Sequence, residues 1–495
     1  MTRQFLLRSV AAMGLWTASQ MGASAAELSA ANQTKVLGNV DAYAARMSEV
    51  ALQIWAMPEL GYLENQTTAL LQSELKKAGF TVQTGLAGMP TSFIARAGGN
   101  DGPVIAILAE MDSLPGLSNA AEPERKPVPG QTSGHACGHN LFGSGAVAAA
   151  IAVKKWMKET GTKGQLRVYG TPAEEGGGGK SYMVSAGLFK DVDVTVYWHP
   201  ADANNASQDR NLANISAKFR FHGTPAHAAA APERGRSALD GVEAMNVMVN
   251  YMREHVPSDT RIHYIVTNGG AAPNIVPEFA ESYYVVRDPD PRVVADVFDR
   301  VKKAAEGAAL GTGTKMDYEL IGGDYSILPN DVLGRIMDGN LRRVGAPQWN
   351  AEEKAWAERM QKTLGANIPA IATAQQIRPY RVNGQKYAST DSGDVSWVTP
   401  LATLNTATWV PGTPAHSWQA TAADGMGIGI KGAVIAAKTL ALTVAQLYQS
   451  PESIAAAKAE FAKSRGPNFV YKPLAGERKP PLDYRKNSSS VADAG

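Results

Sequence analysis

Short apolar runs alternating with helix-spaced segments constrain this chain most. Residues 93–95, 104–109, 166–169 and 194–198 are each of strand length, and Val104-Ile105-Ala106-Ile107-Leu108-Ala109 is apolar throughout. Such a run is buried on both faces, as strands of a parallel sheet covered by helices are. Over 32–54 the apolar residues Val36, Val40, Tyr43, Met47, Val50 and Leu52 keep helical spacing. Further helices are expected at 66–78, stopped by Gly79, and at 141–157. The alternation predicts an α/β layered domain around a central, mostly parallel sheet, with its chemistry on loops at strand ends.

A chain of 495 residues exceeds what one hydrophobic core supports, so more than one domain is expected. The segment 211–325 has its own grammar: strand (215–221), helix (237–253), two strands (261–267 and 278–286), helix (292–309), strand (315–320). That βαββαβ order is the ferredoxin-like split unit. Sequence in the style of the first domain resumes afterwards, so the unit reads as an insertion. The expected division is 1–25 export signal, 26–210 first catalytic segment, 211–325 inserted unit, 326–465 second catalytic segment and 466–495 a loose tail. The tail expectation rests on Pro480, Pro481 and the serines at 488–490.

Arg3 and Arg8, a short apolar stretch at 10–16 and Ala23-Ser24-Ala25 form the pattern of an export signal cleaved near Ala25. The apolar stretch is too short to cross a bilayer. The expected location is outside the cytoplasm, in a bacterial periplasm. A net charge of +2 with 19% charged residues carries no nucleic-acid or membrane signature.

The lone cysteine, Cys137, lies in Ser133-Gly134-His135-Ala136-Cys137-Gly138-His139-Asn140. With no partner for a disulfide, it is buried filler, a reactive thiol or a metal ligand. The flanking imidazoles favour the third, since thiolate and imidazole two residues apart can both reach one cation. Glu174-Glu175 follows an apolar strand and Pro172, and precedes four glycines. Two adjacent carboxylates resist burial unless a cation offsets them, and one can ligate while its neighbour handles protons. Trp198-His199-Pro200 and Gly412-Thr413-Pro414-Ala415-His416 add two more histidines at loop positions. Gly176–Gly179 with Lys180-Ser181 imitates a phosphate-binding loop, but the first required glycine would fall on Glu174, which excludes phosphate. Asp112, in Glu110-Met111-Asp112-Ser113-Leu114-Pro115, could orient a ligating histidine. The aromatics Phe142, Trp198, Tyr284 and Trp418 could line an acyl pocket or pack the core.

Further motifs complete an ordered set: Ala226-His227-Ala228-Ala229-Ala230, Gly235 to Asp240, Pro273-Asn274-Ile275-Val276-Pro277 and Asp391-Ser392-Gly393-Asp394. With these motifs in order over about 43–447, the chain resembles the co-catalytic metallo-amidohydrolases, the family of aminoacylases, carboxypeptidase G and indoleacetyl-amino-acid hydrolases. The resemblance implies two divalent ions, Zn or Mn, held by Cys137, His139, Glu175, His199 and His416, with Cys137 bridging. It implies Glu174 as the base acting on a metal-activated water. The inserted unit becomes a lid or dimerisation domain supplying His227, Asn274 and Arg287 to substrate or oxyanion. The implied substrate is an N-acyl amino acid, with p-aminobenzoyl-glutamate first and other N-acyl amino acids or dipeptides next. The implied partner is a second copy or a related subunit. Many relatives carry Asp where Glu110 and Asn140 stand.

Overall fold

The computed structural model describes residues 27–485, so the expected export signal at 1–25 and residues 486–495 lie outside the described residues. Ten strands build the two main sheets. They are β1 (Thr81–Thr84), β2 (Phe93–Gly98), β3 (Val104–Glu110), β4 (Gln165–Thr171), β5 (Val194–Ala201), β6 (Ala213–His222), β7 (Arg261–Asn268), β8 (Phe279–Asp288), β9 (Lys315–Asp324) and β10 (Leu401–Ala407).

The catalytic sheet has the order β1-β2-β4-β3-β5-β10. The pairs β4–β3, β3–β5 and β5–β10 are parallel, while β1 and β2 form an antiparallel edge. β3 is buried from Ile105 to Glu110, as its unbroken apolar run requires. Helix Ala30–Ala56 begins where the Ser29 hydroxyl accepts the Asn32 amide. It buries Val36, Val40, Met47, Val50 and Ile54 along one face.

Helix His139–Thr160 lies against β3 and β5. Its N-terminus is turned by Gly138 at φ +74°, where a Cβ would meet the Pro200 side chain at 2.7 Å. The helix starts on His139 itself, earlier than the 141–157 spacing predicts, and this fixes the imidazole rigidly. Helix Gly427–Tyr448 is long and apolar enough to cross a bilayer, but it packs against His139–Thr160 and β10, and 72% of its most apolar stretch is buried. Its apolar character is that of a core element.

The inserted unit runs from β6 to β9 as one antiparallel sheet of order β7-β8-β6-β9. Helices Ala238–Met252 and Pro291–Thr312 cover one face around Phe219, Phe221, Val242, Val297 and Val301. This is the ferredoxin-like arrangement. Residues 466–485 correct the expectation of a loose tail. They contain no helix or strand, yet Ala475 is buried, Arg478 donates to Leu320 O and Ile321 O of β9, and Tyr484 packs on the catalytic core. Prolines and polar residues do not prevent anchoring when partners are backbone carbonyls of distant strands.

Candidate metal centre

The ligand candidates hang from the carboxyl ends of parallel strands, from the loops that follow them or, for His139, from the first residue of the helix after such a loop. β3 ends on Glu110 and leads to Asp112. β4 leads into the Pro172–Gly179 loop, where Ala173 sits in the left-handed region at φ +56°. That strain is offset by three amide donations: Ala173 N to Glu64 Oε1 at 2.8 Å, Glu174 N to Asp112 Oδ1 at 3.1 Å and Glu175 N to Asp112 Oδ2 at 2.9 Å. The tetraglycine that follows is needed for close approach, since a Cβ on Gly179 would run into Pro172 O.

The imidazoles are oriented by their second nitrogens. His139 Nδ1 lies 2.9 Å from Asp112 O and 3.2 Å from Asp112 Oδ1, and His199 Nδ1 lies 2.7 Å from Pro200 O. A proton on Nδ1 leaves each Nε2 lone pair pointing outward, the state a metal ligand needs. Asp112 therefore touches His139 and both glutamate amides at once. His416 stands at φ +59°, with its own amide bonded to Ala136 O at 2.9 Å, which ties its loop to the cysteine motif.

These orientations converge on sulfur. Cys137 Sγ lies 3.4 Å from His199 Nε2, and His416 Nε2 lies 3.2 Å from Glu175 Oε1. Donor atoms of Cys137, His139 and His199 fall within 4.8 Å of one another, and so do those of Cys137, Glu175 and His416. Cys137 belongs to both groups. Glu110, His139 and Glu174 form a third.

The donor set fits divalent cations on several grounds. His139 Nε2 and Glu175 Oε1 are buried and make no well-formed hydrogen bond; each only faces another candidate ligand, Glu110 Oε2 at 3.1 Å and His416 Nε2 at 3.2 Å, the crowding of donor atoms that a cation would relieve. Burial first, then the Glu175 charge, pushes the Cys137 thiol well up, so a cation is what would hold it as thiolate. Burial first, then Glu110 and Glu175, raises Glu174 above the usual carboxylate range. Burial lowers His199 to about 4, keeping it neutral at physiological pH. The cluster is closed around His139 but opens at His416, whose side chain is 52% exposed.

The lid residues are placed elsewhere. His227 is exposed, and its Nδ1 accepts from Ala229 N and Ala230 N. Asn274 is its neighbour, with its carbonyl accepting from Ala228 N. Arg287 on β8 donates to Ser389 Oγ at 2.9 Å, at the seam between the two domains. The structure does not bring His227, Asn274 or Arg287 onto the cluster of this chain. Phe142, Trp198 and Tyr284 are fully buried core residues, which leaves only the half-buried Trp418 as a candidate acyl contact among those four.

Sequence reasoning assigned no role here to Glu64, Lys180 or Asp391. Lys180 is fully buried, with Nζ 2.7 Å from Glu110 Oε1 and 2.6 Å from Asp391 Oδ1. The lysine that imitates a phosphate-binding loop thus serves the carboxylates. Despite burial, Lys180 and His139 hold the Glu110 carboxyl below its usual range. Asn140 donates Nδ2 to Ala51 O and Asp424 O, both at 3.2 Å, a double donation that an ionised Asp could not make.

Comparison with known proteins gives the chain's family and fold. Residues 106–400 match the model of peptidase family M20/M25/M40. The chain is 41% identical over 437 residues to one subunit of the p-aminobenzoyl-glutamate hydrolase of Escherichia coli, covering 83% of this chain and 90% of that protein. It is 32% identical over 335 residues to the Xaa-Arg dipeptidase of Mus musculus, covering 65% and 73%. Among solved structures, a dinuclear metal binding peptidase of the M20 family from Bacillus subtilis superposes with TM-score 0.57 at 17% identity, covering 83% of this chain and 99% of that one. At that identity the likeness shows a shared fold. The sequence match and the convergent donors lead to one assignment: this chain belongs to peptidase family M20/M25/M40 and is a metal-dependent amidohydrolase.

Proposed function

We propose that the protein hydrolyses the amide bond of N-acyl amino acids, with p-aminobenzoyl-glutamate the first candidate and other N-acyl amino acids or dipeptides next. The observation that carries this reading is the membership of Cys137 in two donor groups. Cys137, His139 and His199 would hold one divalent ion; Cys137, Glu175 and His416 would hold the other. Sulfur, nitrogen and oxygen donors together suit zinc, with manganese as the alternative. Such ions, when bound, supply Lewis acidity that acidifies water and polarises a carbonyl.

The remaining work falls to the chain. Glu174 takes the proton of the attacking water and returns it to the departing nitrogen. Asp112 keeps His139 and the amides of Glu174 and Glu175 in register. His227, exposed on its own protomer, reaches the centre of a partner, where it donates to the oxyanion, with Asn274 beside it. Arg287 is kept as a candidate for the substrate carboxylate. Exposed Val247, Met248 and Tyr251 on helix Ala238–Met252, with Ile265 and Val266 on the edge strand β7, suit a second copy or a related subunit. The 41% relative is by name one subunit of its enzyme, and another subunit of that hydrolase, from the same organism, is 30% identical to this chain over 243 residues. Export to the periplasm remains the reading of residues 1–25, and fractionation of cells expressing the full chain checks it.

The test is a panel of aryl-glutamates, other N-acyl amino acids and dipeptides, offered to purified protein with added zinc or manganese. Release of p-aminobenzoate supports the first candidate. Turnover of acyl amino acids or dipeptides with no aryl-glutamate cleaved would remove it.

A further inference from the structure

We infer that the C-terminal strap, residues 466–485, belongs to the scaffold of the metal centre, with Tyr484 and Arg485 acting as positioning residues for Glu175. The inference rests on the reading of Glu175 as a ligand. Leaving helix Pro451–Arg465 at Gly466, the strap is fastened step by step. Tyr471 Oη donates to the buried Asp394 Oδ1 at 2.6 Å, and Lys472 O accepts from Tyr325 Oη at 2.9 Å. Its backbone then runs so close to β9 that a Cβ on Gly323 would meet Ala475 N at 2.8 Å. Arg478 caps two β9 carbonyls.

The strap then crosses to the catalytic domain. The Tyr484 ring stands edge-on to Tyr62 at 5.7 Å, and its hydroxyl fills the space a Cβ on Gly61 would need. That hydroxyl donates to Glu175 O at 3.1 Å, and Arg485 Nη2 donates to the same oxygen at 2.7 Å. The Arg485 guanidinium lies 4.9 Å from the Tyr484 ring centroid, which aligns the two donors.

The consequence lies in which peptide planes are held. Asp112 fixes the plane before Glu175 through the Glu175 amide. The plane after Glu175 leads into four glycines, and its Gly176 amide is tied only within the same turn, to Glu174 O at 2.7 Å. The strap supplies two donors to that second plane, one of them charged. Together, Asp112 and the strap set the direction in which the Glu175 side chain leaves the backbone, and so its approach to His416 and Cys137. Residues this far from the motif have no local signal for such a role.

The experiment compares full-length wild type with Tyr484→Phe, Arg485→Ala and Arg485→Lys by cobalt(II) titration of metal-free protein. It reads the visible spectrum of the bound cobalt and thermal unfolding beside kcat and KM. Wild type is expected to take two ions. Arg485→Ala should weaken one of them by about 10–100-fold, as loss of an outer partner of a ligand does, and alter its spectrum. Its kcat should fall by a similar factor while KM moves little; Arg485→Lys should recover some of the loss, and Tyr484→Phe should show a smaller shift in the same direction. Wild-type cobalt affinity and spectrum in Arg485→Ala and Tyr484→Phe would overturn the inference. So would equal weakening of both ions accompanied by a lowered unfolding temperature. Wild type that takes no cobalt would overturn the metal-centre reading, and this inference with it; two ions in wild type with unchanged variants would overturn this inference alone.

Discussion

The ligand cluster and the His227–Asn274 loop are opposites in construction. In the cluster, the side chains other than His416 are largely buried, the second nitrogens of His139 and His199 are bonded, and the left-handed Ala173 is held by a neighbouring carboxylate. In the lid, His227 and Asn274 are exposed; His227 Nδ1 accepts from Ala229 N and Ala230 N, and the Asn274 carbonyl accepts from Ala228 N on the facing loop. The difference teaches that the candidate metal ligands are preorganised within one chain, whereas His227 and Asn274, the donors proposed for the reacting carbonyl, are not brought to them. A group that must arrive with a partner cannot be preorganised by its own domain.

The sharpest way to break that comparison is complementation between variants. Glu174→Ala should retain metal and lose about 10²–10⁴-fold in kcat, as removal of a general base does. His227→Ala should lose roughly 10²–10³-fold, the cost of one oxyanion donor, with metal content unchanged. If His227 serves a partner's centre, mixing the two inactive proteins under subunit exchange restores activity to about a quarter of wild type or less. No recovery in mixed dimers shown to form would place His227 on its own centre.

Next in size is Lys180→Met. It removes the buried cation that Asp391 and Glu110 share, leaving Glu110 only its His139 contact, and urea unfolding should show a loss of about 3–5 kcal/mol. An unchanged midpoint would mean that cations in the cluster, rather than Lys180, carry the compensation. Asn140→Asp is expected to cost about 1–3 kcal/mol, because two carbonyls lose their donor. If this substitution is neutral, the residue is not what separates this chain from relatives with Asp there.

The smallest effect lies away from the centre. Hydrogen bonds from Arg46 first, opposed by burial and aided by Lys77, lower Glu74 to about 2. A carboxyl whose folded pKa is depressed adds stability above its unfolded value of about 4.3, and that increment is lost as pH falls toward 2. Because Arg46 is partly exposed, the increment should stay under about 1 kcal/mol. Arg46→Ala should flatten the acid limb of stability against pH between 4 and 2 and leave activity untouched.

Much of the molecule is readable from residue order, for reasons that differ by region. Strand β3 and helix Ala30–Ala56 announce themselves through unbroken or periodic apolar runs, and βαββαβ through its order of elements. Cys137, His139, Glu174 and Glu175 stand out because adjacent carboxylates and a thiol between imidazoles are costly anywhere else. Helix Gly427–Tyr448, apolar on nearly every face, carries no period to recognise. Lys180 imitates a phosphate ligand, since nothing local reveals that Glu110 and Asp391 converge on it. Tyr484 and Arg485 read as tail because their acceptor, the Glu175 carbonyl, is a backbone atom about three hundred residues away.

The central claim is that one sulfur is shared by two cations. Anomalous diffraction at the metal edge, on crystals grown with zinc or manganese, tests it most directly. Two peaks flanking Cys137 Sγ are expected, one also touching His139 and His199 and the other Glu175 and His416. A single peak remote from Cys137, or two peaks of which neither contacts its sulfur, would contradict the account.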